Sequence, residues 1–275
     1  MKQLKIVLLI LPCMLLTQCV NEIPVEDNFE AEMVIVGRLL NDTNHCEVRI
    51  QESVSLFNTD FNGIENAVIS VFAENTNGDV LLITNAFLEG VNGHYTSNLP
   101  INAVTGYYYW IEILLEDERS FISDKTLLKP IVAINSISKR IGIDNYSFYD
   151  FIFEDPAEDN NFYLLHVLFN EKLITEISSD VVFNGSQTAS IELENYDYNQ
   201  TTLVKAKLQN INYFTYQYHL NLRSQSNSNN GDFSLELLFA PPFVNLLGNI
   251  IEKNTNRRVL GVFTVAYTFE ISETF

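Results

Sequence analysis

Acidic and amide side chains are concentrated at residues 155–160, in the sequence DPAEDN. The carboxylates of Asp155, Glu158 and Asp159 and the amide of Asn160 are hard oxygen ligands of the kind that Ca²⁺ binds. The stretch lacks the ligand spacing of an EF-hand, and its proline and asparagine are typical of a turn. A solvated acidic turn without a metal is therefore the preferred interpretation, and Ca²⁺ binding by Asp155, Glu158 and Asp159 is the alternative.

The residue types that most often perform catalysis form no recognisable motif. None of the four histidines lies in an HExxH sequence or has a cysteine at ligand spacing, and His166 falls within an apolar strand pattern. The chain also lacks a GxSxG elbow, a Walker loop and a GxGxxG sequence. The sequence therefore predicts a protein that is not an enzyme, with no catalytic residues and no cofactor.

The remaining chemistry is lipid attachment at Cys19. Two lysines precede an apolar run at residues 6–16, about ten residues long, whereas a membrane-spanning helix needs roughly twenty. Residues 16–19, LTQC, resemble a bacterial lipobox, although Gln18 stands where a small residue is usual. We predict that residues 1–18 are a signal peptide and that the Cys19 thiol is lipidated. An ordinary secreted protein cleaved nearby is the alternative.

Charge and composition constrain the partners of the mature chain. The net charge is −19, and loss of the signal peptide removes Lys2 and Lys5 but no acid, which lowers it to −21. Such a chain is repelled by nucleic-acid phosphates and by anionic lipid headgroups. We expect no nucleic-acid partner and contact with the membrane only through the lipid. Residues 19–30 are polar and acidic and predict a disordered, lipidated tether.

Cys46 is the only cysteine left once Cys13 has been removed with the signal and Cys19 has been lipidated. No disulfide can then form within the mature chain, so apolar burial must stabilise the fold. The surrounding sequence, HCEVRI, alternates as a strand does, and this pattern predicts a buried, inert thiol.

Residues 31–129 show the period-two alternation of short strands separated by turn signals. The clearest is GYYYWIEILLE at residues 106–116, with Tyr107, Tyr109, Ile111, Ile113 and Leu115 predicted to face the core. The other predicted strands are residues 33–40, 47–53, 65–74, 80–84, 94–96 and 121–128. About seven strands in roughly 100 residues predict an immunoglobulin-like or fibronectin-like β-sandwich.

Residues 130–275, after a plausible hinge at Pro130, predict a second β-rich domain with one short helix. The predicted strands are residues 137–143, 146–153, 161–170, 181–183, 189–193 and 203–208 and a long closing strand at 259–271. Residues 212–222 break the alternation and predict the helix, and residues 224–231 predict a polar loop. The chain as a whole is therefore expected to be mostly β.

Aromatic residues are numerous, with 13 Tyr and 19 Phe. Several fall on the polar side of predicted strands or near loops: Tyr108, Trp110, Tyr146, Tyr196 and Tyr198. Exposed rings there would stack on sugars or anchor a protein partner. Aromatic rings also pack well on pleated sheets, which is the alternative explanation.

The order of these features resembles a known family. MVIVGRLL is followed by ENAVISVFAENTNGD, GHYTS and GYYYWIEI, and later by FEDPAEDNNFYLLHV, DVVFNG and NRRVLGVFTVAYTF. This order is similar to the lipoprotein family called domain of unknown function 4249, found mainly in Bacteroidetes, over nearly the whole mature chain. Members are often encoded beside TonB-dependent receptors, so the resemblance implies an envelope role in nutrient uptake.

We therefore expect a non-enzymatic lipoprotein anchored in the bacterial outer membrane, facing the periplasm or the outside. Its expected role is that of an accessory or ligand-binding component associated with a TonB-dependent transporter. The alternative is a structural or adhesive surface protein that binds host or matrix material. The ligand-binding residues are not identified by the sequence.

Overall fold

Strands dominate the chain, as the alternating sequence predicts. The computed structural model describes residues 30–54, 62–142, 146–157, 160–196, 201–228 and 246–275, and Ala31–Phe275 form one compact unit. The first nine strands are β1 (Met33–Leu40), β2 (Cys46–Glu52), β3 (Val68–Glu74), β4 (Val80–Thr84), β5 (Phe87–Glu89), β6 (His94–Ser97), β7 (Tyr108–Leu114), β8 (Ser120–Ser123) and β9 (Thr126–Leu127).

The second half of the chain contributes ten further strands and a helix. The strands are β10 (Ile134–Ile141), β11 (Tyr146–Phe153), β12 (Phe162–Phe169), β13 (Lys172–Ser179), β14 (Ala189–Tyr196), β15 (Leu203–Ile211), β16 (Leu247–Glu252), β17 (Arg257–Leu260), β18 (Phe263–Ala266) and β19 (Thr268–Thr274). The helix α1 spans Tyr213–Ser228, and one 3₁₀ turn spans Asp180–Val182.

Twelve strands form one large sheet around the first hydrophobic core. Its order is β4-β3-β7-β8-β16-β17-β1-β2-β6-β5, with β18 parallel to β1 and β9 paired with β7. The inward residues of β7 lie in this core, as predicted: Tyr109, Ile111 and Ile113 are at most 2% exposed. Val48 of β2 belongs to the same core, so distant parts of the sheet enclose one interior.

Two smaller sheets enclose the second core in a sandwich-like arrangement. One has the order β10-β11-β14 and the other β13-β12-β15-β19. Alternate residues of β11, including Tyr149 and Phe151, pack with Tyr163 and Val167 of β12. The predicted boundary between residues 129 and 130 lies between β9 and β10, where the chain passes from the large sheet to these smaller ones. Strands β16 to β18 then return to the large sheet.

The predicted closing strand at residues 259–271 is wrong as one continuous element. Gly261 has a φ of 98°, in the left-handed region, and a Cβ there would lie 2.0 Å from the Ile35 carbonyl oxygen. The backbone therefore turns at Gly261 between β17 and β18, and a second break at Tyr267 separates β18 from β19. Strands β17 and β18 pair within the large sheet, whereas β19 pairs with β15.

Other local predictions also need correction. Residues 181–183, predicted as a strand, overlap the 3₁₀ turn, and β13 was not identified in the sequence. The helix is longer than predicted, because Ser224–Ser228 continue it instead of forming a loop. It begins at an amide cap, where the Asn212 side-chain oxygen accepts a hydrogen bond from the Thr215 N–H at 2.8 Å.

A candidate ligand-binding groove

The outer face of β1, β2 and β6 carries a row of polar side chains. Strand alternation turns Ile35, Val48 and Ile50 into the core, so the residues between them point outward. Val36 is opposite Arg49, and Arg49 is opposite His94. Three strands thereby place an apolar side chain, a guanidinium and an imidazole side by side.

Tyr218 of helix α1 also lines this face, which leaves an open groove with a cavity volume of about 440 Å³. Val34 and Gln51 extend the strand face of the groove, and Arg38 and Glu47 lie at the next position along it. A volume of this size is in the range typical of small-molecule sites.

The groove contains donors that the protein itself does not use. Arg38 donates to Glu47, with Nε 2.7 Å from Oε2. By contrast, in the described part of the chain the side chains of Arg49, Gln51 and His94 have no hydrogen-bond or ion-pair partner. Two guanidinium groups and one carboxylate give the groove a local positive charge within a chain of net charge −19.

The phenol of Tyr218 is another donor in the groove. Burial raises the pKa of Tyr218, so its hydroxyl keeps its proton at neutral pH. Its ring meets the neighbouring His219 ring edge to face, with the centroids 5.5 Å apart. The groove can therefore offer hydrogen-bond donors to an oxygen-rich group and apolar surface to the rest of a ligand.

The proposed calcium ligand Asp155 lies elsewhere and serves the protein interior. It is 3% exposed, one of its oxygens accepts the Tyr163 hydroxyl, and the other accepts the Gly185 N–H at 2.7 Å. Burial and the neighbouring Asp155 raise the pKa of Tyr163. Glu158 and Asp159 lie outside the described residues. In the described ranges, no three His, Cys, Asp or Glu side chains form a group that could hold a metal.

The other histidines are placed by hydrogen bonds or by packing. His45 Nδ1 lies 2.7 Å from the Ser97 carbonyl oxygen, and His166 Nδ1 lies 3.0 Å from the Thr175 hydroxyl. Burial and Lys207 lower the pKa of His166. Burial, together with His166, lowers the pKa of His219 to about 4. The sequence does not single out His94, the histidine that lines the groove.

The two cysteine predictions have different outcomes. Cys46 is fully buried in the first core, as predicted, and this burial raises the pKa of its thiol. A thiol held in its protonated form is a poor nucleophile. Cys19 lies outside the described residues, so its lipidation stays a prediction.

The predicted aromatic binding residues do not form one site. Trp110 is buried, because it stacks on Phe72 with centroids 5.5 Å apart and Lys125 covers it at 4.9 Å. The expectation that Trp110 is exposed is therefore wrong. Tyr108 and Tyr146 are exposed. The side chain of Tyr196 and all of Tyr198 lie outside the described parts of the chain.

A second surface, called here the apolar face, is formed by the outward residues of β3, β4 and β7. Strand β4 is at one edge of the large sheet, and its residues alternate between the two sides of the sheet without becoming buried. The exposed apolar members of the face, each at least 41% exposed, are Val68, Val80, Leu82, Tyr108 and Leu114. Several exposed apolar side chains grouped on one sheet face make this face a candidate interaction site.

No described helix is long and apolar enough to cross a bilayer. A comparison with curated proteins found no match. Among solved structures, the selenomethionine-substituted chicken interferon gamma receptor alpha chain is 10% identical to this chain, with a TM-score of 0.20. The aligned region covers 65% of this chain and 89% of the receptor chain. A TM-score of 0.20 is too low to indicate a shared fold.

A family model does match most of the chain. The matched segment is residues 20–272, and the model is described as a domain of unknown function, DUF4249. The match covers both hydrophobic cores, the groove and the apolar face. The chain therefore belongs to the DUF4249 family.

Proposed function

We propose that the protein is a non-enzymatic, lipid-anchored ligand-binding protein of the bacterial outer membrane, associated with a TonB-dependent transporter. The observation that carries the binding role is the groove between Tyr218 and the outer face of β1, β2 and β6. A concave site that combines apolar surface with a few converging polar groups is the usual form of a ligand site, and here Arg49, Gln51 and His94 supply those polar groups.

The sequence of the N-terminus supports the proposed location. If Cys19 carries the lipid, residues 19–30 are the only link to the compact unit that begins at Ala31. Twelve residues span at most about 40 Å when fully extended. The compact unit would therefore stay within reach of proteins embedded in the same membrane, and a transporter is such a protein.

A structural or adhesive surface protein is the second candidate, and the apolar face favours it. The exposed side chains of Val80 and Leu82 lie on an edge strand, which can pair with a strand from another molecule. The same face could dock a transporter, so the identity of the partner separates the two candidates.

Fatty-acid labelling tests the anchor. The full chain is expressed in its native host with an alkyne fatty acid, and wild type is compared with Cys19→Ala. Cys13→Ala is the matched control, because it removes a cysteine of the signal and leaves Cys19 in place. We expect label in outer-membrane fractions of wild type and Cys13→Ala only. Equal labelling of Cys19→Ala would contradict the anchor.

Affinity purification from solubilised outer membranes tests the partner. Co-purification of a β-barrel receptor of the TonB-dependent class is the expected result. Retention on host or matrix material without a receptor would favour the adhesive role instead. Turnover in a screen of glycan and peptide substrates, if abolished by a point mutation in the groove, would overturn the non-enzymatic proposal.

A further inference from the structure

We propose that the groove binds an organic anion, with a carboxylate or phosphate held by Arg49 and an apolar portion resting between Val36 and Tyr218. This inference rests on the proposed ligand-binding function and names the chemical class of the ligand. It depends on which groups face the groove and on which of them already have partners.

The position of Arg49 makes it the anchor for the oxyanion. It is exposed on the middle strand of the three, with Val36 opposite on one side and His94 on the other. Arg38, two residues after Val36 on β1, is already paired with Glu47. Arg49 is therefore the guanidinium in the groove that is available to a ligand. A guanidinium binds a carboxylate or a phosphate through two parallel N–H donors.

Neighbouring groups add donors to the same position. Gln51 lies two residues from Arg49 on the same face of β2, and His94 is directly across the strand pair. The side-chain amide, the imidazole and the Tyr218 hydroxyl can each donate a hydrogen bond to an oxyanion. In the described residues, Glu47 is the only carboxylate that lines the groove, and Arg38 neutralises it.

The apolar part of the groove indicates that the anion is organic. Val34 and Val36 face outward on β1, and Val36 is 38% exposed although it is a large aliphatic residue. Tyr218 brings an aromatic ring to the same cavity of about 440 Å³. A bare inorganic ion would leave this apolar surface in water, whereas a molecule with an apolar body would cover it.

Ligand-observed NMR titration of the purified full-length lipoprotein in detergent micelles tests the proposal. The probes are benzoate, phenyl phosphate and benzyl alcohol, which present a carboxylate, a phosphate and a neutral hydroxyl on the same ring. We expect wild type to bind at least one anion about tenfold more tightly than benzyl alcohol, since charge-assisted hydrogen bonds favour the ionised group. The stronger of the two anions identifies the oxyanion.

Matched variants assign the preference to the groove. Arg49→Gln is expected to weaken binding of the preferred anion about tenfold and to leave benzyl alcohol unchanged. The control, Arg257→Gln, removes the same charge from an exposed position of β17 outside the groove, and it is expected to bind as wild type does. Tyr218→Ala is expected to weaken all three probes, because it removes apolar surface.

Three results would overturn the proposal. The first is equal affinity of wild type for benzoate, phenyl phosphate and benzyl alcohol, and the second is equal weakening by Arg49→Gln and Arg257→Gln. The third is binding by none of the probes, with each variant shown to be folded by circular dichroism. Receptor co-purification with Arg49→Gln reports separately on the proposed function, because the substitution leaves the lipid and the apolar face intact.

Discussion

The Asp155 site and the groove both contain clustered polar groups, but they differ in how those groups are partnered. Asp155 is buried, and both its oxygens accept hydrogen bonds from Tyr163 and Gly185. Arg49 in the groove is exposed and has no partner among the described residues. A cluster of polar residues therefore indicates a ligand only when the fold leaves their donors or acceptors unused.

Two buried asparagines differ in the same way, because one has both its side-chain polar atoms paired and the other does not. Asn249 is fully buried and holds the backbone of Phe263 through both its amide atoms. Asn210 donates to Asn161 at 2.9 Å, but its own side-chain oxygen has no partner within the described structure. Substitutions at these positions should therefore affect stability, whereas substitutions in the groove should affect binding.

The largest effect is expected for Asp155→Ala. The change leaves the Tyr163 hydroxyl and the Gly185 N–H without their acceptor inside the second core, and each unsatisfied buried group is costly. We expect the free energy of unfolding to fall by about 3 kcal/mol in urea denaturation. Benzoate binding by the folded variant should match wild type.

Calcium provides the control for this prediction. If Asp155 serves only the interior, Ca²⁺ does not raise the midpoint of thermal unfolding of either protein. Stabilisation of wild type by Ca²⁺, lost in Asp155→Ala, would restore the calcium interpretation of residues 155–160 and would remove the contrast with the groove.

Asn249→Ala should have the next largest effect. It removes hydrogen bonds to both the N–H and the carbonyl of Phe263, at 2.8 and 2.9 Å, from a fully buried position. We expect a loss of about 2 kcal/mol in the free energy of unfolding. Asn210→Ala is the matched comparison and should cost less, since that side chain already has an unpartnered oxygen. A larger loss of stability for Asn210→Ala than for Asn249→Ala would contradict the expectation that the side chain with more hydrogen-bond partners contributes more stability.

The strands were largely predictable because their signal is local. In β7 and β11, apolar and polar residues alternate along the segment itself, and the burial pattern follows that alternation. Strand β13 escaped prediction because its residues are mostly half-buried and the alternation is weak. The 3₁₀ turn at Asp180–Val182 and the break at Gly261 depend on distant backbone neighbours, which no local pattern contains.

The groove was not predictable for the same reason. Arg49 and His94 become neighbours through the register of β2 with β6, and Tyr218 comes from a helix far along the chain. The sequence identified Asp155 but not its role, because Gly185, one of its donors, lies thirty residues away. Charge and residue type therefore indicated candidates, and only the long-range pairing separated the structural site from the groove.

The partly buried histidines His166 and His219 make stability depend on pH. The pKa of His219 is lowered to about 4, below its ordinary value of 6.5, by burial and by His166. The stabilising contribution of neutral His219 is fully present above pH 6.5. It is lost as the pH falls towards 4, because His219 of the unfolded chain takes up a proton at a higher pH than His219 of the folded chain. Since the ring is partly exposed, the loss should be on the order of 1 kcal/mol.

Urea denaturation between pH 7 and pH 4 checks this expectation. His219→Gln should show a smaller fall in the free energy of unfolding than wild type over that range. His166→Gln should also reduce the fall in the free energy of unfolding between pH 7 and pH 4, because burial and Lys207 lower the pKa of His166 too. If the free energy of unfolding falls equally with pH in wild type and His219→Gln, protonation of a group other than His219 causes the loss of stability.

Glu47→Gln should produce the smallest effect and tests the contrast at the groove itself. The substitution frees Arg38 from its ion pair and so gives the groove a second unpartnered guanidinium. The pair is largely solvent-exposed on the Arg38 side, so the free energy of unfolding should change by less than about 1 kcal/mol. We expect benzoate to bind about threefold more tightly, because one negative charge is removed near the anion. Tighter benzoate binding without a change in stability would show that a guanidinium in this groove binds ligand only when it has no ion-pair partner within the protein. Weaker binding would show that Glu47 itself contacts the ligand.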